Sequence, residues 1–381
     1  MKHKVLSIHL IAPIPAINRR TRVNKQVDVL LKHGHNVTLL GWERLPGESC
    51  RQRHSDPRVT EQMILHGGGY ASRLTHLFYV FWMVRVFFKV LFLPRHSALL
   101  CLGFESAFPA LLASKFTGAK ILFDDADRFS MILALPRPFN NLIQAVEKWT
   151  SKHCTVHIVP GRTRYNWTGG NMAILRNTPN LADFELALAK RLHAALPEFV
   201  LYANGWIGET RGAPVFLALM RKLAVSGPQI KLRLIGRGDG SAYDILKELP
   251  NVIAMQEVPQ IEALAAYCTA NLVLTYYDPK VPINRQAESN KWGDCIFLGV
   301  PFIVNSEVET AAKFVEEGAA FSVPYADVDA LEALILHLQS KPSLLADSKK
   351  RLQNFRSEYL PFDNAFEKIL LAANLGTTQS V

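Results

Sequence analysis

The sequence predicts an α/β protein built from two doubly wound domains, each with a parallel sheet. Its 381 residues are enough for two domains of ordinary size with their own cores. Short apolar, β-rich runs alternate with helical stretches through the first half, and a second series of the same kind occupies the second half. Such alternation is typical of a parallel sheet that helices cover on both faces.

In the first half, apolar runs predict the strands and helical spacing of apolar residues predicts the helices between them. The opening segment MKHKVLSIHLIAPIP has no small-residue cleavage site, so we interpret it as a first strand rather than a signal peptide. The stretch TRVNKQVDVLLKHG is predicted to be a helix that ends at Gly34. The predicted strands of this half are, in order, VLSIHLIA, HNVTLLGW, ALLCLG, KILFDD, HCTVHIV and AIL.

A stretch at 177–198 interrupts the alternation with Pro179 and Pro197, and it is predicted to link the two domains. The second series then begins with the strand FVLYANG and continues to VPFIVN, and the remainder of the chain has helical spacing. We therefore expect an N-terminal domain at 1–180, a C-terminal domain at 181–345, and C-terminal helices at 346–381 that can cross back to the N-terminal domain.

The net charge of +10 is concentrated in the first half. Residues 1–196 carry 26 Lys and Arg against 12 Asp and Glu, whereas residues 197–381 carry 17 against 21. This asymmetry indicates a polyanionic partner, such as an anionic lipid surface or a phosphorylated substrate, or else an ordinary basic surface. A nucleic-acid partner is not expected, because no RNA- or DNA-binding motif is present.

The segment THLFYVFWMVRVFFKVLFLPR at 75–95 is dense in aromatic and aliphatic residues. Arg85 and Lys89 interrupt it one helical turn apart, which disfavours a spanning helix. A helix lying in the membrane interface fits better, and its predicted membrane contacts are Trp82, Arg85, Phe88 and Lys89. The alternative is a core helix with two snorkelling cations.

The five cysteines show no CxxC spacing and no His/Cys cluster at zinc spacing, so we expect reduced, mostly buried thiols in a cytoplasmic protein. Neither a metal site nor a cofactor is predicted.

Four motifs of the second half follow one another in a set order: LYANGWIGETRG, LIGRGDG, ALAAYCTANLVLTYY and ESNKWGDCIFLGVPFIV. This order resembles the donor-binding domain of GT-4-like glycosyltransferases. In the first half, RVNKQVDVLLKHGHNVTLL resembles the opening of many enzymes with the GT-B fold, in which two Rossmann-like domains face a central cleft. The segment FESAFPALLASKFTGAKILFDDADRFSMI is most similar to bacterial exopolysaccharide enzymes of the xanthan glucuronosyltransferase type.

The chain departs from this resemblance at two places. Gln286 and Asp294 stand where retaining GT-4 enzymes have a pair of glutamates, and NRR at 18–20 replaces the glycines common in the first loop. The missing glutamate disfavours a retaining mechanism and favours inversion with a separate base.

A helix predicted to open near Asn290 would offer free N–H groups to a diphosphate at the carboxyl end of a strand. Lys291 would add a cation there, or it is a solvated surface lysine. Asp294 lies four residues after Asn290 and could accept hydrogen bonds from ribose hydroxyls, as the resemblance implies, or it is an acid on the exterior of the helix.

Four further donor-binding residues are predicted. By the resemblance, Arg211 replaces a lysine that contacts the donor phosphates, and Glu257 and Tyr277 align with residues that touch uridine. Arg237 lies in the glycine-rich turn GRGDG, which would let the backbone approach the nucleotide but is by itself only a loop signal.

The stretch ILFDDADRFS places three carboxylates directly after a predicted strand. We expect Asp124 to fix the turn and Asp125 to be solvated. Asp127 can turn back towards the substrates and matches the base of the xanthan glucuronosyltransferase type. Asp127 is therefore the predicted general base, and the alternative is that all three acids are merely the polar end of a strand.

Together these features predict a metal-independent glycosyltransferase that uses a nucleotide-sugar donor, with a UDP-sugar favoured and UDP-glucuronate as one candidate. The expected acceptor is a lipid-linked saccharide in bacterial polysaccharide biosynthesis, and the expected location is the inner face of the cell membrane. One alternative is an inactive glycosyltransferase-like scaffold protein. A GT-A enzyme with a divalent cation on the three aspartates is disfavoured, because GT-A proteins have one Rossmann-like core and this chain is predicted to have two.

Overall fold

The computed structural model describes residues 6–51, 53–70, 73–132, 136–190, 198–225 and 229–375. The chain divides into two compact units. The first comprises Met1–Leu175 and Phe362–Val381, and the second comprises Arg176–Pro361. Each unit is built around one parallel sheet, so the predicted α/β class is confirmed.

The first unit has a sheet of seven strands. The strands are β1 Ser7–Ile11, β2 Asn36–Glu43, β3 Val59–His66, β4 Ala98–Leu102, β5 Lys120–Asp124, β6 Val156–Val159 and β7 Met172–Ile174. They lie in the order β3-β2-β1-β4-β5-β6-β7, and all neighbours are parallel. The chain order reverses between β1 and β4, and at such a point the carboxyl edge of the sheet opens into a crevice.

Helices cover both faces of this sheet. They are α1 Thr21–Lys32, α2 Glu48–Arg51, α3 Arg73–Leu91, α4 Phe104–Thr117, α5 Phe129–Ile132 and α6 Arg137–His153, together with one C-terminal helix given below. Alternate residues of β4 enter different cores: Leu100 packs with residues of α1, and Leu99 packs with residues of α3 and α4. Burial on both faces explains why the central strands, such as β4, are continuous apolar runs.

The second unit has a sheet of six strands. The strands are β8 Phe199–Trp206, β9 Ile230–Arg237, β10 Val252–Met255, β11 Leu272–Thr275, β12 Phe302–Asn305 and β13 Phe321–Val323. They lie in the order β10-β9-β8-β11-β12-β13 and are again all parallel. The reversal of chain order falls between β8 and β11.

The helices of the second unit are α7 Leu181–Ala189, α8 Ala213–Val225, α9 Ser241–Leu246, α10 Gln260–Tyr267, α11 Asn290–Leu298, α12 Ala312–Glu316, α13 Val328–Ser340 and α14 Pro342–Asn354. The stretch expected to be a linker thus contains α7, whose Phe184 packs edge-on against Phe297 of α11 at 5.5 Å between ring centroids. Residues 191–197 of that stretch lie outside the described residues.

The C-terminal residues divide between the two units. Helix α14 belongs to the second unit, and α15 (Phe362–Ala372) belongs to the first. Phe362, Phe366 and Ile369 of α15 are buried in the core that includes α1. The apolar face of the last helix therefore completes the first unit.

Candidate active site

Two glycine-rich loops meet at the carboxyl edge of the second sheet, where β8 and β9 end. Gly205 pairs with Gly236, and the Ile207 N–H donates to the Arg237 carbonyl at 2.7 Å. Gly236 has φ +135°, and a Cβ there would stand 2.2 Å from the Gly205 carbonyl oxygen. Only glycine fits this close approach, which leaves backbone rather than side chains at the edge.

Helix α11 begins at the same edge, beyond β11. The Ser289 side chain caps it by accepting from the Lys291 N–H at 3.3 Å, and Ser289 Oγ also receives the Tyr277 hydroxyl at 2.6 Å. Asn290 is exposed in the first turn. Lys291 Nζ lies 3.9 Å from the position that a Cβ on Gly205 would take, so this ammonium group reaches the end of β8.

Arg211 and Tyr277 lie together beside Lys291. The Arg211 guanidinium is 4.8 Å from the centroid of the Tyr277 ring, and the Tyr277 N–H donates to Asn305 Oδ1 at 2.9 Å. A single pocket is lined by Arg211, Tyr277 and Lys291, together with Asn204, Trp206 and Thr275. Three of the predicted donor-binding residues, from three different segments of the chain, thus line one pocket.

Asp294 faces inward and is not an exterior acid of α11. It is 8% exposed, and Oδ2 accepts from the Tyr267 hydroxyl at 3.1 Å. Burial, together with the Asp294 carboxylate, raises the pKa of Tyr267 well above its usual value, so this hydroxyl keeps its proton. The Tyr267 hydroxyl also lies 3.1 Å from Asn204 Oδ1, which connects Asp294 to the end of β8. A ribose contact by Asp294 stays a prediction.

Arg237 and Glu257 form an ion pair with each other on the surface of the second unit. Their side chains are 60% and 57% exposed. Among the described residues, neither belongs to the pocket lined by Lys291. Their roles in donor binding stay predictions, and either role would require the nucleotide to compete with this ion pair.

The three aspartates at the end of β5 have three different environments. Asp124 is fully buried, and its carboxylate accepts two hydrogen bonds from the Arg22 guanidinium, at 2.7 and 2.8 Å, and one from Gln26 Nε2 at 2.7 Å. Arg22 and Gln26 belong to α1. Asp124 therefore fixes α1 against the sheet.

The prediction that Asp125 is solvated is wrong. Asp125 is 2% exposed, and its Oδ2 accepts from the Tyr165 hydroxyl at 2.9 Å and lies 3.4 Å from His157 Nε2. The other ring nitrogen of His157 lies 2.8 Å from Ser151 Oγ. The chain after β6 covers this carboxylate, and burial beside Asp125 raises the pKa of Tyr165 well above its usual value.

Asp127 is the exposed acid of the three. Its side chain is 54% exposed, and Oδ1 accepts from Arg164 Nη1 at 3.1 Å. The same Arg164 nitrogen donates to the Ala126 carbonyl at 2.7 Å, which fixes the turn that carries Asp127. A substrate hydroxyl can therefore reach Asp127, whereas Asp124 and Asp125 are enclosed.

Glu105 is a carboxyl group at the same edge that the sequence analysis missed. It lies in the first turn of α4, directly after β4, and is 9% exposed. Burial raises its pKa to about 7, an effect that Arg20 and Arg44 oppose and Asp125 reinforces. Gly103 has φ +79°, and a Cβ there would stand 2.6 Å from Glu105 Oε2, so the carboxyl folds back over this glycine. The available signal was an acid just after the apolar run ALLCLG.

Glu105→Gln is expected to stabilise the protein at pH 8 but to have little effect at pH 5. A carboxyl whose pKa is raised in the folded state binds its proton more tightly there, so the free energy of unfolding falls as pH rises from about 5 through 7. At pH 8 the raised pKa lowers the free energy of unfolding by about 3 kcal/mol, compared with a carboxyl of ordinary pKa. Thermal melts at both pH values test this, with Glu316→Gln, an exposed carboxyl, as the control. Equal melting shifts at pH 5 and pH 8 would contradict it.

Helix α3 presents both buried and exposed apolar residues. The prediction that Trp82 contacts a membrane is wrong, because Trp82 is fully buried, stacks on Trp42 at 6.0 Å and donates to Ser106 Oγ at 3.3 Å. Arg85 and Phe88 are exposed, and Lys89 is half-buried. The exposed apolar residues of α3 and the residue after it are Leu77, Val80, Phe81, Val84, Phe88 and Phe92, and we call this set the α3 apolar face.

Among the described residues, no helix is long and apolar enough to cross a membrane. Within the same ranges, no group of three His, Cys, Asp or Glu side chains is arranged to hold a metal ion. The five cysteines are free thiols, and Cys50 is exposed. The pocket lined by Lys291 and Arg211 lies beside the α11 N-terminus, so positive charge is concentrated there.

Comparisons with known proteins find similarity in structure rather than in sequence. No protein-family model matches, and no curated protein matches in sequence. Sucrose-phosphate synthase from Thermosynechococcus elongatus is 15% identical with a TM-score of 0.66, over 97% of this chain and 98% of that one. Anabaena HepE in complex with UDP-glucose is 11% identical with a TM-score of 0.66, over 97% and 99%.

A UDP-N-acetylglucosamine 2-epimerase is also similar, with 13% identity and a TM-score of 0.59 over 99% of both chains. At identities this low, the structural similarity establishes the fold but leaves the reaction open, because transferases and an epimerase share this fold. The similarity extends over nearly the whole chain, through both parallel-sheet units. The chain has the GT-B fold.

Proposed function

We propose that the protein is a glycosyltransferase that takes its sugar from a UDP-sugar. The observation that carries this proposal is the pocket at the carboxyl edge of the second sheet, where Lys291, Arg211 and the N-terminus of α11 converge. Two cations and a helix N-terminus suit a diphosphate. Binding of UDP-glucose by HepE, which has a similar fold, supports the choice of nucleotide.

The residues of this pocket have distinct parts in donor binding. Lys291 places a point charge at the end of β8, and Arg211 presents a planar guanidinium held by the Tyr277 ring. The α11 N–H groups complete the neutralisation of the diphosphate as UDP leaves. In this proposal the leaving group is stabilised by the chain itself, so the transfer proceeds without a metal ion.

We assign the general base to Asp127. Its carboxylate takes the proton of the acceptor hydroxyl, the acceptor oxygen forms a bond to the anomeric carbon, and the bond from that carbon to UDP breaks with its electron pair going to UDP. Attack opposite the leaving group inverts the anomeric configuration. The exposure of Asp127 beside two enclosed acids supports this choice, since a base must reach its substrate.

The acceptor we propose is a lipid-linked saccharide of bacterial polysaccharide biosynthesis, bound while the protein lies on the cytoplasmic face of the membrane. The α3 apolar face supports this, because contiguous exposed apolar residues beside cations suit an anionic bilayer surface. The concentration of positive charge in residues 1–196 points in the same direction.

Phe88→Glu is expected to weaken binding to phosphatidylglycerol vesicles at least about tenfold, because one buried phenyl group contributes about 1.5–3 kcal/mol and a carboxylate is repelled. Vesicle co-sedimentation measures this. Ile245→Glu, which alters an exposed apolar residue of α9, is the control. High salt should release part of the wild-type protein, because Arg85 and Lys89 act through screened charges. Equal binding by the Phe88 variant and the wild type would refute the membrane surface.

The decisive test of the function is turnover of UDP-sugars. The full chain is incubated with UDP-glucose, UDP-glucuronate and UDP-N-acetylglucosamine, with and without a bacterial membrane extract, and both UDP release and the lipid product are measured. A glycosyltransferase releases UDP and adds a sugar mass to an extract lipid. An epimerase would convert the sugar without releasing a glycosylated product, and an inactive scaffold protein would do neither.

A further inference from the structure

Arg44 is a buried cation enclosed by aromatic rings at the carboxyl end of β2. The residue is 8% exposed. Its guanidinium carbon lies 3.9 Å from the ring centroid of Trp42, 5.2 Å from that of Tyr70 and 5.3 Å from that of Tyr79. We call these three rings and Arg44 the Arg44 cage. Stacking of this kind holds a guanidinium flat and keeps its N–H edge directed outward.

The hydrogen-bonding capacity of Arg44 is largely unused. Its Nη2 donates to the Tyr79 hydroxyl at 3.2 Å, and no other acceptor for its N–H groups is found within the described ranges. The carboxylate of Glu48 accepts instead from the Leu45 N–H and the Tyr70 hydroxyl, at 2.9 and 3.0 Å. Arg44 also acts on the Glu105 carboxyl, where it opposes the rise in pKa, but no hydrogen bond joins the two in the part of the chain that the structure describes. A guanidinium has five donors and commonly pairs with a carboxylate or phosphate, so the unused donors of Arg44 are available to an anionic ligand.

The position of the Arg44 cage fits a ligand site. The chain after β1 runs beside the end of β2, since the Ala12 N–H donates to the Leu40 carbonyl at 3.2 Å and the Trp42 N–H donates to the Ile14 carbonyl at 3.0 Å. Arg20 follows on that chain and is exposed. In open parallel sheets, ligands bind at this carboxyl edge.

The Arg44 cage also adjoins the α3 apolar face. Trp42, whose ring lies over Arg44, stacks on Phe78 of α3 at 6.2 Å, and Phe78 contacts Phe81 edge-on at 5.8 Å between ring centroids. Phe81 belongs to the α3 apolar face and is 47% exposed. An anion held by Arg44 would thus lie next to an exposed apolar surface. This combination matches a phosphate group attached to a hydrocarbon chain.

We propose that Arg44 binds the phosphate or diphosphate that joins the acceptor saccharide to its lipid, with the hydrocarbon lying along the α3 apolar face. The proposal rests on the proposed function, whose acceptor it specifies. The guanidinium offers parallel N–H donors that fit two phosphate oxygens, which a lysine does not match. Trp42 and Tyr70 fix the guanidinium plane, so little side-chain freedom is lost on binding.

Calorimetric titration of the full chain tests this, with UDP present to occupy the nucleotide pocket. The probes are farnesyl diphosphate, inorganic pyrophosphate and farnesol. Farnesyl diphosphate is expected to bind, and Arg44→Met is expected to weaken it at least tenfold. Inorganic pyrophosphate should bind more weakly than farnesyl diphosphate but with the same dependence on Arg44. Farnesol should bind weakly and without that dependence.

Two variants keep the test interpretable. Arg221→Met removes an exposed cation from α8 and should leave farnesyl diphosphate binding unchanged. This control separates the specific effect of Arg44 from the effect of a lower net charge. Arg44→Lys keeps the charge over Trp42 but loses the fork, and it should weaken binding severalfold even if Arg44→Met fails to fold. Equal affinity of wild type and both Arg44 variants would overturn the proposal.

A second titration, with UDP as the only ligand, separates this inference from the proposed function. UDP binds the second unit, so UDP affinity should be the same in the wild type and the Arg44 variants. A wild type that binds no UDP would speak against the proposed function. A wild type that binds UDP but takes up farnesyl diphosphate independently of Arg44 would overturn only the present inference. Pyrophosphate bound as tightly as farnesyl diphosphate would assign the site to a free phosphate and overturn the lipid source.

Discussion

Asp127→Asn is expected to lower kcat for sugar transfer by about 10²–10⁴-fold, while the affinity for UDP stays nearly unchanged. The variant keeps the size of the side chain and its ability to accept from Arg164 at 3.1 Å, but an amide cannot take the acceptor proton. Turnover is measured as UDP release and as formation of the product lipid, with the UDP-sugar that the wild type uses. The anomeric configuration of the product should be inverted relative to the donor.

Asp56→Asn is the matched control for this experiment. Asp56 is also an aspartate paired with an arginine, Arg58, at 2.7 Å, but it lies just before β3, at the amino end of its strand. Its replacement should leave turnover intact. Wild-type turnover in Asp127→Asn, or a product that retains the donor configuration, would contradict the assignment. If Glu105→Gln loses turnover and Asp127→Asn does not, the base is Glu105.

The architecture was predictable because local patterns determine it. The central strands of each parallel sheet are buried on both faces, so segments such as ALLCLG and KILFDD are continuous apolar runs that few other elements produce. The boundary between the two units was harder to predict from the sequence. Helix α7 lies within the stretch interpreted as a linker, because its apolar residues pack on α10 and α11, and this packing depends on residues far along the chain.

The site residues show where sequence reasoning stops. Side chains alternate along a strand, so Asp124 and Asp125 face different ways, but burial of Asp125 depends on Tyr165 and His157, which follow in other segments. Trp82 could equally face lipid or core from its spacing alone. Glu105 and Arg44 escaped notice because each stands singly in the sequence, and only folding encloses them. By contrast, Lys291 and Arg211 were found through an ordered set of motifs, and they do line one pocket.

Lys291→Ala is expected to weaken UDP binding about ten- to hundredfold. A hydrogen bond between a charged donor and a phosphate contributes about 1.5–3 kcal/mol, and each 1.4 kcal/mol is a tenfold change in affinity. Lys291 is partly exposed in the first turn of α11, so its replacement by alanine should leave the helix and its Ser289 cap intact. Calorimetry with UDP measures the change, and thermal melts check the fold.

The ligand provides a sharper control than any second variant, because uridine lacks the diphosphate. Lys291→Ala should leave uridine affinity unchanged, so the ratio of UDP affinity to uridine affinity should fall by the same factor as UDP affinity itself.

Two further variants control for charge. Lys291→Arg keeps a cation near the end of β8 and should recover most of the UDP affinity, whereas Lys350→Ala, on the exposed side of α14, should have no effect. Raising the salt concentration should weaken UDP binding less in Lys291→Ala than in the wild type, since one screened charge is gone. Equal loss of uridine and UDP affinity would show that Lys291 supports the pocket instead of binding the diphosphate, and unchanged UDP affinity would place the diphosphate elsewhere.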